Sequence, residues 1–97
     1  MSFLDGKVVF TRVGGVVYVS VHGAIDMGDD AWATIIIGTL PNSFRPENEV
    51  FIGLTVQSST AIEVLSVTED GTVKTRSLGG AAPMVNWAFG GGSYPVA

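Results

Sequence analysis

Short β-branched runs, each closed by Gly, Pro, Asn or Asp, recur along the chain, and no stretch repeats apolar residues at helical spacing. That pattern restricts the chain to an all-β fold. The clearest run is Val16–Gly23. Val17, Val19 and Val21 fall on one face, and Tyr18, Ser20 and His22 on the other, as a two-residue period requires. Lys7–Arg12 precedes it across Gly14-Gly15, a pair suited to the positive φ of a tight hairpin. Further strands are expected at Trp32–Gly38, Glu49–Val56, Ala61–Val67, Thr72–Leu78, Met84–Phe89 and, briefly, Ser93–Val96. Ile35-Ile36-Ile37 lacks alternation, so burial on both faces is expected there. Ala24–Asp30 and Gly79–Pro83 read as loops, and Gly90-Gly91-Gly92 as a flexible bend. Thr39–Asn48 is a connection, because Pro41 and Pro46 cannot sit in a central strand. Glu69-Asp70-Gly71 is a hairpin turn, with Gly in the left-handed position. The sum is about seven or eight strands in a compact antiparallel β-barrel or sandwich, one domain over residues 1–97.

A domain of this size must cover its core with few residues, and here the covering is short of charge. Of 97 residues, 46% are hydrophobic and 14% charged; about 25% charged is typical. Either part of the apolar surface is buried against copies of the chain, or a tight sandwich carries a large Gly, Ser and Thr surface. The first alternative is preferred. The net charge of −4 and the scatter of Lys7, Arg12 and Arg45 argue against a nucleic-acid partner. Only Lys74 and Arg76 form a close basic pair. The chain has no cysteine, which removes disulfides, thiolate metal sites and a thiol nucleophile. The first residues lack the pattern of a secretory leader, and the longest apolar runs are too short for a membrane helix.

Catalytic constellations are scarce. His22 is the sole histidine, so a His-based zinc site is not expected, and its mid-strand position reads as structural or interfacial. No Gly-x-Ser-x-Gly elbow occurs. Asp26, Asp29 and Asp30 cluster in one segment, which lacks the alternation of a calcium loop, and Glu69-Asp70 in another; adjacent acids in turns usually satisfy turn backbone groups or face solvent. The expectation is therefore a protein that is not an enzyme and needs no cofactor. Asp26 and Glu63 remain the acids a glycan hydrolase would use.

Binding is better supplied. Trp32, Trp87, Tyr18 and Tyr94 offer aromatic faces for sugar rings, and Glu63, Lys74 and Arg76 offer charged partners for hydroxyls or phosphates. The tryptophans also suit a core or a subunit interface. Glu63 shares a strand face with Ala61, Leu65 and Val67, and Lys74 and Arg76 share one with Thr72 and Leu78. If the hairpin register brings these faces together, Glu63 pairs with Arg76 or Lys74.

The order of features resembles the head domain of receptor-binding proteins from the baseplates of tailed phages infecting Gram-positive bacteria, of the lactococcal type. The matching pieces are Val16–Gly23, Gly38-Thr39-Leu40 running into Phe44-Arg45-Pro46, the hairpin Ile62–Val73 around Asp70-Gly71, and the ending Gly90–Tyr94. The resemblance implies a β-barrel homotrimer on the virion tail tip, with saccharide sites between protomers. Its partners would be other baseplate proteins and a host cell-wall polysaccharide or teichoic-acid-type glycan, with neither nucleic acid nor membrane insertion. It also fits a fragment of a longer tail protein. Those heads carry a His and an Asp before the Asp-Gly turn and a Trp after it. Here Glu63, Val64 and Ser66 precede the turn, and Thr75 and Arg76 follow it. The saccharide-binding expectation therefore rests on Glu63, Lys74, Arg76 and Trp87 as candidates, with a ligand-free trimerisation or capping domain of a fibre as the alternative.

Overall fold

Alternation decides which face of each strand turns inward. The computed structural model describes residues 2–3, 6–57 and 59–96. Among them are eight strands: β1 (Ser2–Phe3), β2 (Val8–Val13), β3 (Val16–Asp26), β4 (Thr34–Thr39), β5 (Val50–Val56), β6 (Glu63–Val67), β7 (Thr72–Ser77) and β8 (Val85–Pro95). All neighbours are antiparallel, in the order β1-β2-β3-β8-β5-β6-β7-β4. The sheet curls into a half-barrel whose concave side holds the core. Val8 and Phe10, Val17, Val19, Val21 and Ile25, Ile52 and Leu54, Leu65, Val67, Val73 and Tyr94 all point there. Burial of this kind stabilises by roughly 1.5–3 kcal/mol per large side chain. Tyr94 closes one end, its hydroxyl donating to the Phe44 carbonyl at 2.6 Å.

Three expectations change. Ile35-Ile36-Ile37 is not buried on both faces. Its strand, β4, is at the end of the strand order, a bulge interrupts its pairing with β7 between Ile36 and Gly38, and Ile36 is 68% exposed. The segment after Gly23 is not all loop: β3 runs on to Asp26 because β8 pairs with it as far as Val85. Gly90-Gly91-Gly92 is not a bend. It lies inside one eleven-residue strand, opposite Val21, Ser20 and Val19. Gly90 and Gly92 face the core, where β8 crosses close to β5. A Cβ on Gly90 would stand 2.7 Å from both the Gly53 carbonyl oxygen and Leu54 Cδ2. The glycines serve close approach rather than flexibility.

The Asp70-Gly71 turn forms as expected, with Gly71 at φ 87. The Asp70 carboxylate accepts from the Thr68 hydroxyl and from the Thr72 N–H (3.1 Å) and hydroxyl (2.9 Å). These bonds, chiefly the one from Thr68, hold its pKa down at about 2.

Candidate binding face

The convex face of the sheet is where unpartnered side chains gather. On β3 the outward residues are Tyr18, Ser20, His22 and Ala24; on β8 they are Trp87, Phe89, Gly91 and Ser93; on β5 they are Phe51, Gly53 and Thr55. None of these carries a formal charge when His22 is neutral, and the exposed Asp26 follows them at the end of β3. Register sets His22 against Phe89 and Ala24 against Trp87. The three rings meet. His22 stands edge-on to Trp87 at 5.3 Å between centroids and tilted to Phe89 at 5.6 Å, and Trp87 and Phe89 are 6.2 Å apart. Trp87 remains 44% exposed. The site is thus an aromatic shelf on two paired strands, beside the side-chain-free strip at Gly91 and the hydroxyls of Ser20 and Ser93. Such a shelf can stack on the apolar face of a flat ligand and hydrogen-bond to its rim.

The apolar surface continues across the sheet. The ladder runs one step past the ends of β4, β6 and β7. Leu78 N–H donates to the Ile62 carbonyl (2.8 Å), Ser77 N–H to Ala33 (2.8 Å) and Gly79 N–H to Ala31 (2.9 Å). Trp32, Leu78 and Ile62 therefore lie abreast, and all three are exposed, Trp32 at 71%. With Thr55 opposite Phe89, the row reaches the aromatic shelf. A row of large exposed apolar side chains of this kind is unusual for the surface of a lone soluble domain.

The four candidate residues separate. Trp87 is on the shelf. Lys74 and Arg76 also face outward, on β7, where Arg76 lies over the Phe51 ring at 5.7 Å from its centroid. Three strand spacings separate β7 from β8, about 14 Å along the sheet. Glu63 is on the other side: it is 2% exposed and turned into the core. Its register partner is Ser77, while Arg76 stands opposite Val64 and Lys74 opposite Ser66. The expected pairing of Glu63 with Arg76 or Lys74 is corrected by this register, and Glu63 cannot touch a ligand on the outer face. Its Oε2 is 2.8 Å from Ser77 Oγ, and its Oε1 is buried without a hydrogen-bond partner. Burial pushes its pKa up, against a smaller downward pull from the Ser77 hydroxyl.

The other acids have local duties. Asp26 Oδ1 accepts from Gly28 N–H (3.0 Å), and Asp30 Oδ1 from Trp32 N–H (2.9 Å). Asp26 and Asp29 also line an open groove of about 580 Å³ with Gly28, Ile35, Met84 and Val85. Asp26 and Glu63 do not share a face, so they do not flank one cleft as a hydrolytic pair. Among the described residues no cluster of three or more His, Asp or Glu could hold a metal ion. Phe89 is the shelf residue that the sequence does not single out, and His22, read there as structural or interfacial, is the other addition. Their signal was the spacing Trp87, Phe89 on one strand face, but only the β3–β8 register adds His22. No family model matches the chain, and no curated protein matches it.

Proposed function

We propose that this chain is a receptor-binding head domain of a tailed-phage baseplate that recognises host surface saccharide on its convex face. The observation that carries the reading is the exposed His22–Trp87–Phe89 shelf on the outer face of β3 and β8. A pyranose ring stacks on the indole, and Ser20, Ser93 and Tyr18 bond its hydroxyls. The order of sequence motifs that resembles such heads supports the phage assignment. In this reading the domain works as a homotrimer whose copies cover the Trp32–Leu78–Ile62 band. Lys74 and Arg76, too far from Trp87 within one chain to share a sugar with it, then act across the protomer boundary. Threefold display raises weak single-site binding to useful avidity.

The test is co-sedimentation of the protein with purified Gram-positive cell-wall polysaccharide, alongside light scattering of the protein alone. The reading expects a trimer that binds, with binding lost in Trp87→Ala and weakened in Arg76→Ala. A monomer at micromolar concentration sinks the assembly, and binding indifferent to Trp87→Ala sinks the site. The exposed apolar band alone favours a second reading, a trimerisation or capping domain without a ligand. A stable trimer with no affinity for any envelope preparation selects it.

A further inference from the structure

The core acid Glu63 has a connection that saccharide binding does not use. Ser77 Oγ is 2.8 Å from Glu63 Oε2 and 3.2 Å from the Met27 carbonyl oxygen. A hydroxyl has one hydrogen to give, and a carbonyl can only accept. When Ser77 donates to Met27, the Glu63 oxygen must itself donate, so it must carry a proton. Met27 and Gly28 are in turn clasped to Met84: Met27 N–H donates to the Met84 carbonyl (2.9 Å) and Met84 N–H to the Gly28 carbonyl (2.7 Å). Met84 sits at φ 55, a left-handed backbone rarely adopted by a residue with a side chain, and these two bonds hold it there. Gly28 and Met84 both line the groove with Asp26 and Val85.

We propose that Glu63, Ser77 and the Met27 carbonyl form a proton-held latch that keeps the Met27–Gly28 wall of this groove fastened to Met84. Loss of the proton leaves a carboxylate in the core with one oxygen unpartnered, and the segment opens to hydrate it. Among the described residues the causes acting on its pKa are burial and the Ser77 hydroxyl, with no ion pair; Lys7 lays its stem over Gly23 of β3. β4 and β5 contain no ionisable residue, and Glu63 is the only one on β6. From β7, Lys74 and Arg76 face outward, and β8 contributes only Tyr94, bonded to Phe44. On β3, Tyr18 and His22 face outward, while on β2 Arg12 is held by the Gly14 and Ser43 carbonyls. Asp26 bonds Gly28 N–H, Asp29 is exposed at the groove, and Asp30 is exposed and accepts from Trp32 N–H. The sign follows from burial raising the folded pKa above the ordinary 4.5. The latch is fully present below 4.5 and is lost as pH rises through the folded value, with a limiting slope of about tenfold per pH unit for one proton.

Amide hydrogen exchange of the intact protein by NMR, corrected for base catalysis, tests this. Protection of the Met27 and Met84 amides should fall with pH above 4.5, by up to about tenfold per unit, while amides at the centre of β3 hold steady. Glu63→Gln keeps a donor toward Ser77 and should flatten the profile; Ser77→Ala should lower the low-pH protection to the level the unaltered protein reaches at high pH. Protection that stays flat in the unaltered protein, or that falls equally in Glu63→Gln, overturns the latch. If Glu63→Gln does not fold, the Glu63 carboxyl ¹³C resonance of the unaltered protein decides. It must titrate in step with the protection loss, and titration at or below 4.5 overturns the proposal.

Discussion

Two glycines of one strand should respond oppositely to the same methyl group. Neither Gly90 nor Gly92 has a positive φ, so alanine fits both backbones. Replacing a strand glycine also removes unfolded-state entropy, which stabilises by about 0.4–1 kcal/mol where nothing is in the way. At Gly92 the added Cβ meets Ile52 Cγ1 at 3.4 Å, an ordinary contact. Gly92→Ala should therefore be neutral or mildly stabilising. At Gly90 the Cβ would meet the Gly53 carbonyl oxygen and Leu54 Cδ2 at 2.7 Å. Leu54 can turn its methyl aside, but the carbonyl belongs to β5 at its short pairing with β8. Relieving the clash means moving β5 off β8, at a cost of roughly 1–3 kcal/mol. With a urea m-value of about 1–3 kcal/mol/M, the two midpoints should differ by roughly 1 M, Gly90→Ala lower. Equal midpoints, or loss at both positions, would refute the close-approach argument and restore the reading of a flexible bend.

Other outcomes follow from single contacts. Tyr94→Phe deletes the hydroxyl bond to Phe44 and leaves that carbonyl without this donor, which should lower unfolding stability by about 1–1.5 kcal/mol in chemical denaturation. Asp70 has a folded pKa of about 2 against an ordinary 3.8, so its contribution is complete above 3.8 and disappears as pH falls through about 2. An acid titration followed by circular dichroism should show that loss, and Asp70→Asn should remove it. In the trimer proposed above, Ile62→Asp places a charge in the Trp32–Leu78 band on an exposed residue, so it should shift light-scattering mass toward the monomer while circular dichroism stays unchanged.

Much of the fold was legible because alternation is a local signal. The Val17, Val19, Val21 face, the Asp70-Gly71 turn and the β6–β7 hairpin needed nothing beyond neighbours in sequence. What failed was pairing at a distance. Ile35-Ile36-Ile37 looks like a central strand until its position at the end of the strand order is known, and Gly90–Gly92 looks loose until β5 is seen against β8. The site was half legible. Trp87 stood out by residue type, but His22 joins it only through the β3–β8 register. Glu63 shows a different lapse. Its own strand period sets it beside Leu65 and Val67 on the inward face, and a formal charge does not override that period.

The most direct test of the binding face uses the fact that the chain has two tryptophans. Trp32→Phe leaves Trp87 as the sole indole, on the shelf beside His22 and Phe89. Titrating that variant with Gram-positive cell-wall polysaccharide should give a saturable change in its fluorescence, matched by loss of binding in Trp87→Ala. Polysaccharide that binds without altering Trp87 emission, or no binding at all, would contradict the assignment of this face.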